Sequence, residues 1–251
     1  GFYLDLVDEA SLQVGDYYRV NYDISADEVL YVGNDGIGFN DDFSNQSAIV
    51  KQGWAVSNAI ERVLELTGAE KVILGGHSTG GLAAREYLQN PNNWQTDGEH
   101  HVAKLLTVGT PNGGSNLSGG NLGGIFNGLD EFSEAVRDLR WKNFLFDGDY
   151  LDGGVEDNFS VYYNDDIDCN GFVGDLITGL NQKTSPSDLD YACIVGIGNN
   201  LPSLSGDGVV AEERADLNNY LLATPPLMNQ HADRYDVTPA HTSIHKENHS
   251  T

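Results

Sequence analysis

The most constraining feature of this chain is a glycine-flanked serine set between two segments of different periodicity. Lys71-Val-Ile-Leu-Gly75 is a short apolar run of the kind buried in a parallel sheet. It leads directly into Gly76-His77-Ser78-Thr79-Gly80, then Gly81, and from Gly80 to Leu88 the pattern reads as a helix with Leu82, Tyr87 and Leu88 apolar. Gly-x-Ser-x-Gly alone is a weak signal, because Gly and Ser are common in loops. Between a buried strand and a helix it specifies a sharp turn whose backbone tolerates only small neighbours and which lifts the serine hydroxyl off the sheet edge. Gly76 and Gly80 are expected to supply that clearance. Such a turn aims the Thr79 N–H at charge developing on a carbonyl oxygen attacked by Ser78, and the helix N-terminus adds positive potential.

The rest of the chain fits around this turn. Residues 16–24 alternate and carry aromatic and β-branched side chains, which predicts a strand. Residues 33–47 are rich in Gly, Asn, Asp and Ser and read as a loop. A helix is expected from about Asn45 or Ser47, with Ile49, Gly53, Val56, Ile60, Val63 and Leu64 on one face and a stop at Gly68. Lys104 to Val108 and Tyr191 to Val195 read as further strands, the first closing with Gly109-Thr-Pro-Asn-Gly-Gly. Helix, strand, helix, strand implies parallel strands with crossovers, hence an α/β layer fold. Residues 115–187 lose this pattern and become rich in Gly, Asn and Asp, as expected of an insertion over one end of the sheet, where binding loops lie.

The 251 residues suffice for one core, so residues 1–251 are read as a single domain. Thirteen Lys plus Arg against 38 Asp plus Glu give a net charge of −25, which argues against nucleic acid and anionic membrane as partners and suits a salty, extracellular medium. No apolar run reaches the length of a transmembrane helix. The chain opens on Gly1 without a charged and then apolar leader, so a signal peptide is expected upstream. The two cysteines, Cys169 and Cys193, define no disulfide framework and are open to one bridge or two buried thiols. Nothing in the sequence bears on oligomeric state.

A serine nucleophile needs a base, and the base needs an acid to hold its tautomer. On this fold the chain order is serine, acid, histidine. The candidate acid is Asp207, in Ser205-Gly-Asp207-Gly-Val-Val210 beyond the late strand, where flanking glycines suit a tight turn. His77 lies inside the serine turn, and His100 and His101 precede Asp207, so order argues against them. Of His231, His241, His245 and His249, His241 leads, being followed by Thr242-Ser-Ile244 as an apolar anchor; His245 and His231 remain alternatives.

A second chemical feature lies in the insertion. Asn164-Asp-Asp166-Ile-Asp168-Cys-Asn170-Gly171 sets oxygen side chains on alternate positions before a glycine, spacing like the first half of an EF-hand loop. Ile177 stands where the bidentate Glu would be, and Asp175 is a substitute two positions earlier. Asp166, Asp168 and Asn170 are therefore candidate ligands for a structural Ca²⁺ that braces the insertion, the alternative being an acidic turn without metal.

Taken together, Val72-Ile-Leu-Gly-Gly-His-Ser-Thr-Gly-Gly-Leu-Ala-Ala-Arg-Glu-Tyr-Leu88, Leu105-Leu-Thr-Val-Gly-Thr-Pro-Asn-Gly-Gly-Ser115, Ala135-Val-Arg-Asp-Leu139 and Gly206-Asp-Gly-Val-Val210 resemble an α/β-hydrolase of the bacterial lipase type, close to the GPI inositol-deacylase and lecithin:cholesterol acyltransferase families. The resemblance implies a mostly parallel sheet with helices on both faces and a cap at about 115–187. It implies a secreted serine esterase or lipase acting on carboxylic esters, often lipid esters, with Ser78, Asp207 and His241 as triad, Thr79 N–H as oxyanion donor and no cofactor for the chemistry. The chain departs from the pattern in one place. Residues 1–44 hold no apolar strand ending in His-Gly, whose loop would supply the other oxyanion N–H. That strand is expected upstream of Gly1 or replaced by another loop. The alternative function is a catalytically silent hydrolase fold serving as a structural or binding module in an extracellular assembly.

Overall fold

The computed structural model describes residues 17–20, 22, 46–115, 133–140, 149–156, 166–199, 205–222 and 231–238. Helix α1, Ile49–Thr67, buries Ile49, Val56 and Ile60 along one stripe. It ends where Gly68 turns left-handed (φ 68°) and its N–H returns to the Leu64 carbonyl at 2.8 Å. Strand β1, Val72–His77, leads through Ser78 into helix α2, Thr79–Gln89. Gly53 lets α1 lie close on α2, since a Cβ there would stand 2.7 Å from Glu86 Cγ. Strand β2, Val102–Val108, follows. Then come a short helix α3, Glu134–Asp138, capped by the Ser133 hydroxyl, and a two-stranded antiparallel hairpin of β3, Gly154–Val155, with β4, Leu176–Ile177. Strand β5, Asp190–Gly196, helix α4, Glu212–Ala215, and strand β6, Ala232–Val237, complete the order.

The main sheet runs β1-β2-β5-β6 and every described pairing in it is parallel. Its register aligns the strand ends: His77 lies beside Val108, Val108 beside Ile194, and Gly196 beside Val237. The loops that leave β1, β2, β5 and β6 therefore open on one edge, where ligands bind in open parallel sheets. One core, with Val56, Tyr87, Leu105, Cys193 and Val195, lies between the sheet and its helices. A second cluster joins Ile49, Val50 and Leu82 to Leu139, Leu151, Ile167, Ile177 and Leu180, and so ties the segments between β2 and β5 to the first two helices.

One expectation changes and one open alternative closes. The described part of the strand predicted over 16–24 forms no ladder; Val20 and Tyr22 instead pack against the main core. Both cysteines are free thiols: Cys193 is buried on β5 and Cys169 sits in the acidic loop with φ 58°, so the bridged alternative is not formed. Among the described residues no helix is long and apolar enough to cross a membrane.

Candidate active site

Ser78 occupies a backbone conformation that residues with a Cβ rarely adopt, φ 54° and ψ −129°. Such strain costs on the order of 1–3 kcal/mol and persists only where the surroundings impose it. Here they do. The Ser78 N–H donates to the Val108 carbonyl at 2.9 Å, and the Ser78 carbonyl accepts from Gly81 N–H at 3.1 Å. A Cβ on Gly76 would lie 2.5 Å from the Cα and N of Gly81, and one on Gly81 would overlap the Thr110 side chain. The clearance thus belongs to Gly76 and Gly81. Gly80, expected to share it with Gly76, is not crowded: a Cβ there would meet only the Tyr22 hydroxyl, at 3.5 Å. Thr79 is the first residue of α2, where an N–H has no partner within the helix.

Asp207 is 1% exposed in a turn beyond β5 on the same edge. Its Oδ1 accepts from the N–H groups of Val209 and Val210, at 2.9 and 2.8 Å, which fixes the carboxylate. Both glycines around it are required, Gly208 for its φ of 95° and Gly206 because a Cβ would run into the Val210 carbonyl. Asn199 binds this turn to the end of β6: its N–H donates to the Gly206 carbonyl at 2.9 Å and its Nδ2 to the Thr238 carbonyl at 2.6 Å. His241, His245 and His249 lie outside the described residues.

His100, His101 and His231 are placed away from Ser78. His231 is exposed just before β6, and His100 and His101 just before β2, so they lie at the opposite ends of their strands. A strand of this length separates the two edges by about 20 Å. His100 is held in place by other partners. Its Nδ1 accepts from Val102 N–H at 3.0 Å, leaving Nε2 to donate to Asp188 at 2.9 Å.

Beneath the edge lies a polar hub that the sequence did not reveal. Arg85, 1% exposed on α2, donates to Gln89 (2.9 Å), Asn112 (3.1 Å) and Asn181 (2.9 Å). Asn112 in turn donates to the Ala215 carbonyl at 3.0 Å, and Asn181 to the Asn112 carbonyl at 3.0 Å. Burial among amides pulls the Arg85 pKa down to about 10. The hub links the helix behind Ser78 to the loop after β2 and to α4, which follows closely on Val210. Apart from Gln89, one helical turn from Arg85, its partners are 27 to 103 positions apart, so no local pattern announces them.

The acidic loop draws in a residue from outside itself. One carboxylate oxygen each from Glu156, Asp166 and Asp168 lie within 4.8 Å of one another. Asn170 turns its Nδ2 toward Asp168 and Asp175, at 3.3 and 2.9 Å, and its Oδ1 toward Phe172 N–H at 2.8 Å. Asp175 Oδ1 is buried with no hydrogen-bond partner. Burial, helped by the neighbouring carboxylates, pushes the pKa values of Glu156 and Asp168 upward.

The parallel sheet, the strained serine turn and the acid beyond a later strand define the α/β-hydrolase fold class. The PGAP1-like alpha/beta domain matches residues 21–150, and the chain belongs to that family. Among solved structures, the mature form of the Bacillus licheniformis lipase BlEst2 is 19% identical with a TM-score of 0.49, over 82% of this chain and 72% of that one. The Legionella pneumophila phospholipase PlaB is 16% identical with a TM-score of 0.45, over 86% of this chain. This chain spans 41% of that phospholipase and 40% of the propeptide form of the Bacillus lipase. No curated protein matches.

Proposed function

We propose that the chain is a secreted serine hydrolase of carboxylic esters, with lipid or acyl esters as substrates. The observation that carries this reading is Ser78 at φ 54° and ψ −129°, a strained turn with no structural use that a glycine would not serve better. Asp207, fixed by two backbone N–H groups past β5, supports the assignment of the acid. His241 is three residues beyond Thr238, whose carbonyl is held beside the acid turn, and three extended residues reach about 10 Å.

In this mechanism His241 takes the Ser78 proton as Oγ bonds to the ester carbon, and Asp207 holds the imidazole in the required tautomer. The carbonyl electron pair moves onto oxygen, where Thr79 N–H stabilises it. Collapse expels the alcohol, which receives the proton from His241, and water repeats the sequence on the acyl-enzyme. No cofactor enters. A Ca²⁺ ion held by Glu156, Asp166, Asp168 and Asp175 belongs to the same reading as a brace. Hard oxygen donors such as the clustered Glu156, Asp166 and Asp168 carboxylates suit that ion.

The test is hydrolysis of p-nitrophenyl esters of graded acyl length beside Ser78→Ala. The expected loss in kcat is on the order of 10⁴-fold or more, with unchanged circular dichroism. Equal rates, or no labelling of Ser78 by a fluorophosphonate in folded protein, would overturn the reading in favour of a silent module.

A further inference from the structure

One loop touches both the serine turn and the acid turn: residues 109–115, which leave the end of β2. Near its start Thr110 Oγ1 donates to the Gly76 carbonyl at 3.4 Å, and the same side chain fills the space that faces Gly81. At its end Ser115 Oγ donates to the Val209 carbonyl at 2.9 Å, and the Val209 N–H in turn holds Asp207 Oδ1. Between them lies Asn112, fully buried and bonded on every side. Its Oδ1 accepts from Arg85 on α2 at 3.1 Å, and its Nδ2 donates to the Ala215 carbonyl of α4 at 3.0 Å. Its N–H donates to the Thr110 carbonyl at 2.9 Å, and its own carbonyl accepts from Asn181 at 3.0 Å. Helix α2 starts directly after Ser78 and α4 just past the Asp207 turn, so Asn112 spans the elements that carry both. The Arg85 guanidinium meets three amide oxygens rather than a carboxylate. Burying a cation on neutral partners costs stability, so what this arrangement supplies is geometry: a planar fork fixes direction as well as distance.

We propose that Asn112, oriented by Arg85, is a positioning residue for ester hydrolysis, and that the strap of residues 109–115 sets the separation of Ser78 from Asp207. The proposal rests on the reading of Ser78 as nucleophile and Asp207 as acid. Asn112 touches no reacting atom. It acts on the serine turn through Thr110, and on the acid turn through Ser115 and α4. Proton transfer needs nucleophile and acid on opposite sides of one imidazole, and a displacement of about 1 Å costs about 10²-fold in rate.

Asn112→Ala releases the strap without changing any charge. The expected result on p-nitrophenyl esters is a fall in kcat of about 10²-fold with KM nearly unchanged. A carboxylate beside the base keeps the pKa of that base up, so drawing Asp207 away moves the acid limb of kcat/KM to lower pH by about one unit. Ser115→Ala cuts the strap at its far end and also lowers kcat. The double variant falls little below the slower single one, because both changes release one displacement. Losses that multiply place the two residues in separate roles and overturn the strap. A merely structural Asn112 would lower the melting temperature and leave kcat per folded molecule and the acid limb at their wild-type values; that result overturns the proposal and leaves Ser78 standing. Should Asn112→Ala fail to fold, Asn112→Asp keeps the acceptor for Arg85 and sets a carboxylate oxygen against the Ala215 carbonyl, which opens the α4 link alone. Undiminished kcat in that variant overturns the proposal equally. A wild-type protein that neither turns over esters nor labels at Ser78 overturns both readings.

Discussion

The turn at Ser78 and the loop at Asp166 are both sharp reversals, but they are held by opposite means. At Ser78 the restraint is close packing of the main chain: Gly76 packs on the Gly81 backbone, Gly81 on the Thr110 side chain, and the Ser78 N–H bonds to the neighbouring strand. At Asp166 it is side chain against backbone: Asp166 accepts from the N–H groups of Asn170 and Gly171, and Glu156 from those of Ile167 and Gly174. The first arrangement has one low-energy form and no dependence on charge. The second gathers carboxylates whose repulsion must be relieved by protons or by a cation. A turn held by packing and a charge-sensitive loop are thus joined through the apolar cluster that links α1 and α2 to Leu151, Ile167 and Ile177.

The contrast breaks most visibly in the glycines. Gly76→Ala forces a methyl group to 2.5 Å from the Gly81 backbone, which cannot yield. We expect a loss of about 3 kcal/mol in urea unfolding, independent of pH and calcium. Gly80→Ala, whose methyl meets only the Tyr22 hydroxyl, should change stability by no more than about 1 kcal/mol, since Ala is the better helix former. Equal penalties at the two positions would mean that the turn is not held by backbone contact.

Calcium is the next lever. If Glu156, Asp166, Asp168 and Asp175 bind it, millimolar Ca²⁺ raises the melting temperature and EDTA reverses the rise. A hundredfold excess over Kd corresponds to about 2.7 kcal/mol. Glu156→Gln keeps an oxygen but loses the charge, and should abolish most of the calcium response while leaving ester hydrolysis per folded molecule intact. The same melting curve with EDTA and with calcium would sink the site.

These two regions were not equally legible in the sequence. The elbow lies within the six residues from Gly76 to Gly81, so its pattern survives as a local word, and the bounds expected for α1, α2, β2 and β5 fall within a turn of those observed. The Asp207 turn is local for the same reason. What escaped is long-range. Glu156 reaches Ile167 from 11 positions away and Gly174 from 18. Tyr22 and Gly80, like Arg85 and Asn112, come together only through the fold. The crowding of Gly81 rather than Gly80 follows from where Thr110 sits, which the five-residue motif does not encode. The alternation over 16–24 correctly marked residues that pack on the core, yet a ladder also needs a partner strand in register.

The smallest expected effect separates the regions by pH. Asp149, beside the acidic hairpin, is buried and accepts the Asp152 N–H at 2.6 Å. Burial pushes its pKa up to about 6. The unfolded value is about 4, so the folded state binds the proton more tightly. Its contribution is therefore complete below about pH 4 and is lost as pH rises through about 6. Asp149→Asn keeps an acceptor for Asp152 N–H and removes the titration. Between about pH 4 and 7.5 the variant should gain about 2 to 3 kcal/mol relative to wild type, read as the difference between their urea unfolding free energies. The other carboxylates titrate in both proteins and cancel in that difference. A gap that stays flat with pH would remove Asp149 from the charge-sensitive half of the molecule. A gap that closes on adding calcium would extend the influence of the Glu156 cluster to it.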